Sequence, residues 1–149
     1  MSLTHIALSF TNTTTYKRLP YKKMQSVIEY IVEGERIARR RLGEISIIFM
    51  DNAELRAINK EFLQHDYDTD IITFPLDDTR IDGELYISVD MAIDNARHYG
   101  VSRSNELVRL VAHGMLHLIG YNDTTDAERT LMQAKENEYL ATVYAVRSL

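Results

Sequence analysis

The stretch from Arg103 to Ile119 constrains this chain more than any other. It carries Leu107, Val108, Leu110, Val111, Met115, Leu116, Leu118 and Ile119, so a helix formed here must be largely buried. The same stretch holds His113 and His117, four residues apart. On a helix that spacing puts both imidazoles on one face, about a turn from each other. Polar groups buried without partners are costly, so the two rings need either hydrogen-bonding neighbours or a shared ion. Gly120 stands three residues after His117, where a glycine in the left-handed region ends a helix and turns the chain back. Asp123 follows three residues later, so the turn can return a carboxylate to the imidazoles.

The spacing H-x3-H-x2-G-x2-D is that of a zincin tripod with an aspartate in place of the third histidine. His113, His117 and Asp123 would form an open three-ligand set of the catalytic kind. The bland alternative is two satisfied core histidines beside a helix end. Metalloproteases of the H-E-x-x-H type take their general base from the residue after the first histidine. Here that residue is Gly114, which argues against that peptidase mechanism. Water activated by the metal itself remains available as a nucleophile. The chain has no cysteine, so thiolate metal sites, iron–sulfur clusters and cysteine nucleophiles are excluded. Any metal must be held by nitrogen and oxygen.

The 149 residues are read as one metallohydrolase-like domain, 1–149. With 45% apolar and 26% charged residues the chain can build a core and is not a disordered tail. Its net charge of −5 argues against a generic nucleic-acid binder but leaves room for a local basic groove. No signal peptide or membrane-spanning stretch is expected, which points to the cytoplasm. Strands are predicted at 4–10, 44–50, 70–74 and 84–89. Helices are predicted at 21–42, with Gly43 as the stop, and at about 53–63, 90–99, 103–119 and 125–145. Residues 77–83 read as an acidic turn. The order predicts an α/β (α+β) fold with a four-stranded mixed sheet covered by about five helices, the last two strands antiparallel. The metal site would lie on a buried helix and the following turn.

Residues 113–121, H-G-M-L-H-L-I-G-Y, resemble the signature H-G-x-L-H-L-x-G-Y-D-H of the YbeY family of bacterial rRNA maturation factors. Thr69 to Pro75, T-D-I-I-T-F-P, is similar to the family's T-[DN]-V-L-S-F-P segment, and Gly83 to Ser88 to its G-D-I-x-I-S strand. Glu128, Met132 and Glu136 match the spaced E-x3-M-x3-E of its last helix. The resemblance covers most of the chain from about residue 44. It implies an α/β domain with a zinc-type ion at the base of a cleft. It also implies a single-strand-specific endoribonuclease in 16S rRNA 3′-end maturation and ribosome quality control. rRNA and the small ribosomal subunit are the implied partners, and one divalent ion, foremost Zn2+, the implied cofactor. The chain departs from the pattern at Asn122 and Asp123, and at Leu63, which stands where the family carries an arginine implicated in activity.

Other residues have two readings each. Glu84 and Asp70 are candidates to support the site or act as a base, or they serve strand-end solvation and turns. Glu106 and Arg109 either orient an imidazole or pair with each other. Glu128, Glu136 and Glu138 are expected on a solvated or ion-paired face, with Met132 in the core. Lys17, Arg18, Lys22 and Lys23, with Arg36, Arg39, Arg40 and Arg41, either form a positive face for RNA or lie on solvated helix ends. Tyr67, Tyr86 and Tyr99 could stack on bases, or pack ordinarily. Three functions compete: a metal-dependent endoribonuclease, a metallohydrolase of another substrate such as a peptide, and a ribosome assembly factor with a structural metal.

Overall fold

The computed structural model describes residues 6–145. Strand β1 (Ala7–Asn12) leads to helix α1 (Tyr21–Gly34), a short 3-10 turn at Arg39–Arg41 and strand β2 (Leu42–Met50). Helix α2 (Asn52–Leu63) follows, then β3 (Ile71–Pro75), β4 (Ile81–Ser88), α3 (Val89–Tyr99), α4 (Arg103–Leu118) and α5 (Asp126–Ala145). The sheet order is β1-β2-β4-β3. β1 and β4 both run parallel to β2, and β3 runs antiparallel to β4. The mixed α/β architecture is the predicted one. Residues 4 and 5 of the predicted first strand lie outside the described residues.

Alternation along the strands divides the sheet into two faces. Ile45, Ile47 and Phe49 of β2, with Leu85 and Ile87 of β4, are fully buried in the main core. Each such side chain contributes roughly 1.5–3 kcal/mol of burial. Helices α1, α3, α4 and α5 supply the rest of that core. The opposite face carries a smaller cluster of Met50, Leu55 and Ile72, with Ile48, Phe74 and Tyr86 packed on it, which α2 covers. Helix α4 is the hub, in contact with β3, β4, α1, α3 and α5.

Two glycines set how closely α4 lies on the sheet. A Cβ at Gly114 would meet Leu85 Cδ2 at 2.6 Å and Ile71 Cδ1 at 3.0 Å. A Cβ at Gly83 would meet Leu118 Cδ2 at 2.5 Å. Position 114 therefore faces β3 and β4, so no side chain from it can serve the histidine cluster. The glycine that argued against a protein base also lets the helix seat.

Several boundaries differ from prediction, three of them for reasons visible in the packing. α1 ends at Gly34, not near residue 42, because the chain turns through Arg36 in the left-handed region (φ 56°). Gly34 also lies against the Tyr139 ring, where any Cβ would clash. Gly43 is thus no helix stop but a residue of β2, packed against the Asp82 carboxylate that accepts the Glu44 N–H. β4 begins at Ile81 inside the predicted acidic turn, because Ile81 pairs with Leu42 and Arg80 donates to the Leu42 carbonyl.

Candidate metal centre

His113 and His117 project from α4 as their spacing requires, each about a quarter exposed. After α4, Gly120 adopts φ +117° and the chain reverses. The turn is held from both sides. Tyr121 donates its hydroxyl to Glu35, and Arg129 donates to the carbonyls of Asp123 and Thr124. Thr125 and Glu128 exchange the two bonds of a capping box that starts α5. The Thr124 hydroxyl and the backbone N–H groups of Thr125 and Thr124, all donating to Glu128 Oε1, hold its carboxyl below the usual carboxylate range.

The reversed turn delivers Asp123. Its Oδ2 lies 3.2 Å from His117 Nε2 and 3.3 Å from His113 Nε2, and the two Nε2 atoms are 3.1 Å apart. Tetrahedral zinc, with bonds of about 2.0–2.1 Å, holds its ligand atoms roughly 3.3–3.4 Å apart. The donor set fits an ion chemically as well. His113 Nδ1 is 2.7 Å from Glu136 Oε2. In the neutral ring the proton is therefore on Nδ1, and Nε2 presents its lone pair to the cluster. One cation satisfies that lone pair, the second imidazole and the carboxylate at once. Burial disfavours the charged His113 ring, but Glu136, Asp123 and Asp70 outweigh it and hold its pKa above the ordinary imidazole value. The same negative field favours a cation.

Glu136 is the residue that sequence reasoning underrated. It is buried, not solvated. Its second oxygen accepts from Arg109 at 3.0 Å, and Arg109 also donates to Asn137 at 2.8 Å. Arg109 therefore acts on His113 through Glu136 and does not pair with Glu106. The signal was present in the chain. Met132, Glu136, Tyr139, Leu140 and Val143 form one buried helical stripe, and an acid within such a stripe needs partners.

Two clefts meet at the cluster. One, of about 550 Å3, is lined by Asn95, Tyr99, Glu106, Arg109 and Arg129. The other, of about 490 Å3, is lined by Asn59, Leu63, His65, Tyr67 and His117. His113, Asp123, Asp70 and Ile71 line both, so the clefts form one groove past the cluster. Asp70 is thus at the site, where it accepts from Asn95 at 3.0 Å. Asn95 also donates to buried Glu106, whose carboxyl burial pushes up.

Glu84 is not brought there. It pairs with Phe74 and Ser46 on the α2 face, opposite α4, and accepts the Tyr86 hydroxyl. Its place follows from alternation, because Gly83 and Leu85 face α4. Tyr86 lies on that far face too, packed on Phe74. Arg56 is held by Asp66 and does not line either cleft. The cationic residues flanking α1 lie at opposite ends of a 14-residue helix, about 21 Å long, and line neither cleft.

An α/β sheet with a seated histidine helix, and two imidazoles and a carboxylate converging at the base of a groove, defines a class of fold with an open three-ligand site for one ion. Residues 9–144 match the family model for endoribonuclease YbeY, and the chain belongs to that family. Relatives named endoribonuclease YbeY include one from Chloroherpeton thalassium, 41% identical over 132 residues, which span 88% of this chain and 92% of the relative. Another, from Bacteroides thetaiotaomicron, is 38% identical over 135 residues, spanning 90% of this chain and 98% of the relative. A solution structure of a Thermotoga maritima protein, 25% identical, superposes with a TM-score of 0.65 over 97% of this chain and 92% of that one.

Proposed function

We propose that this endoribonuclease cuts single-stranded RNA in 16S rRNA 3′-end maturation and ribosome quality control, with His113, His117 and Asp123 holding one Zn2+. The convergence of these three ligand atoms, with His113 oriented by Glu136, carries the reading. Two imidazoles and a carboxylate suit zinc. When bound, such an ion supplies a Lewis acid that lowers the pKa of water and draws charge from a phosphate oxygen. The chain's own residues do the rest. Glu136 fixes the His113 tautomer and ring direction, as partners behind a metal ligand do. Asp70 presents a carboxylate where the two clefts meet, and Asn95 donates to it from the first cleft. Leu110 and Ile71 give the groove apolar walls.

Family membership supports the rest of the reading. The substrate is rRNA, the partner is the small ribosomal subunit and the compartment is the cytoplasm. Residues 1–149 act as one metallohydrolase-like domain. No helix among the described residues is long and apolar enough to cross a membrane. A second reading, an assembly factor with a structural metal, is favoured by Leu63, which lines the groove where an arginine would clamp phosphate. A peptidase reading has less support, because position 114 is turned into the sheet.

The test is cleavage of single-stranded RNA from the 16S 3′ end by zinc-loaded protein and by His117→Ala, with a chelator control. The endoribonuclease reading expects cleavage by the parent alone, abolished by chelator. One bound ion per chain without turnover would favour the assembly factor.

A further inference from the structure

The two arms of the groove differ in what they can hold. The arm past Glu106 carries Arg109 and Arg129. The arm past His117 contains no lysine or arginine in its lining. It therefore has little with which to grip phosphate, the group that dominates most nucleic-acid affinity. It has two aromatic rings instead. His65 and Tyr67 stack with centroids 5.1 Å apart and planes 17° apart, and the Tyr67 hydroxyl is 3.0 Å from His65 Nδ1. Tyr67 is 53% exposed, and Leu63 beside it is 41% exposed. A tyrosine that left half its surface in water for no purpose would gain little from stacking on a histidine.

The rings are also held in place. Gln64 takes the left-handed region that ends α2 (φ 59°), and the His65 N–H bonds to the Asn59 carbonyl. Buried Asn59 donates its side-chain amide to the Tyr67 carbonyl at 3.0 Å. Between them, Arg56 donates to the side chain and the carbonyl of Asp66. Both residues that carry the rings are thus fixed through their backbone, which limits the ordering cost of using them as a contact surface.

We propose that Tyr67 and His65 form a base-stacking subsite that takes one unpaired nucleobase of an RNA strand whose phosphate lies at His113, His117 and Asp123. The inference rests on the endoribonuclease reading and deepens it. A base has a π face whatever its identity, so the subsite selects single strands over duplexes without selecting sequence. A paired base, stacked within a helix, cannot present that face. The strand then runs from the rings, past the triad, to the arm with the two arginines.

The test measures binding of a short single-stranded oligoribonucleotide to zinc-loaded protein by fluorescence anisotropy, across a range of salt concentrations. Tyr67→Ala is expected to weaken binding by roughly 5- to 100-fold. The slope of log affinity against log salt should stay that of the parent, because no phosphate contact is lost. Tyr67→Phe keeps the π face and should keep the parent affinity. An oligomer with an abasic backbone should bind the parent and Tyr67→Ala equally. Tyr67→Ala binding as tightly as the parent overturns the subsite, as does a loss of affinity with a shallower salt slope. Either result leaves cleavage by the parent untouched. A parent that neither binds nor cuts the RNA overturns the endoribonuclease reading, and the subsite with it.

Discussion

Glu136 reaches out from helix α5 to α4, Glu35 reaches to α5 from the end of α1, and their partners give the two carboxylates different work. Glu136 takes an imidazole and a guanidinium, His113 and Arg109. Glu35, just past the end of α1, takes the hydroxyls of Tyr121 and Tyr139 and the ammonium of Lys135, at 3.1 Å. Burial opposes its charge, but those three donors outweigh burial and hold its carboxyl below the usual range. Burial and the Glu35 carboxylate in turn push the Tyr139 and Tyr121 hydroxyls up, so both keep their protons and remain donors. Glu35 thereby ties together three segments: α1, α5 and the turn after Gly120. Its influence on the metal centre passes only through that turn, since Tyr121 precedes Asp123 by two residues. Glu136 reaches a ligand directly. One carboxylate serves the chemistry of a ring, and the other serves the placement of a loop.

The comparison is sharpest in zinc affinity. Glu136→Gln replaces the acceptor behind His113, and partners of this kind are worth about 10- to 100-fold in metal affinity or activity. The expected outcome is a loss of that size in both, read by competition with a chromophoric chelator and by RNA cleavage. An unchanged affinity would mean that Glu136 serves only Arg109.

Glu35→Gln should do the reverse. Hydrogen bonds to a charged group are worth about 1.5–3 kcal/mol each, and glutamine retains part of them, so a loss of about 2 kcal/mol is expected. For a chain of this size that corresponds to roughly 4–8 °C in Tm. Zinc affinity should move far less than in Glu136→Gln. If it falls as much, the turn and not the tautomer controls the site.

The smallest expected effect is in pH dependence. The folded Glu35 carboxyl titrates below its unfolded value, which is about 4.3. Its contribution is then fully present above that unfolded value and is lost as pH falls through the folded pKa. Urea unfolding of parent and Glu35→Gln should show a stability gap at neutral pH that closes as the solution is acidified. A gap independent of pH would mean that shape, not charge, makes the contribution.

Much of this was legible in the chain. The apolar run of β2, the Asp51 cap of α2 and the left-handed Gly100 after α3 all appear where residue types place them. His113, His117 and Asp123 are brought together as their spacing implied, because a helix turn and a glycine reversal are local geometry. What was not legible depends on faces and partners far apart in sequence. Glu84 lies on the wrong side of β4 only because α4 packs over Gly83 and Leu85. Glu136 is buried only because its stripe meets α4. Glu35 gains its role from residues 86 to 104 positions away, which no local pattern announces. Gly43 was misplaced as a helix stop for the same reason, since it answers to a neighbour in space, Asp82.

Zinc titration of metal-free protein by calorimetry, for the parent and His117→Ala, tests the central claim most directly. The account predicts one ion per chain in the parent and loss of that binding in the variant, with the fold retained by circular dichroism. A folded His117→Ala that binds one zinc ion as tightly as the parent would contradict it, because the ion would then be held elsewhere.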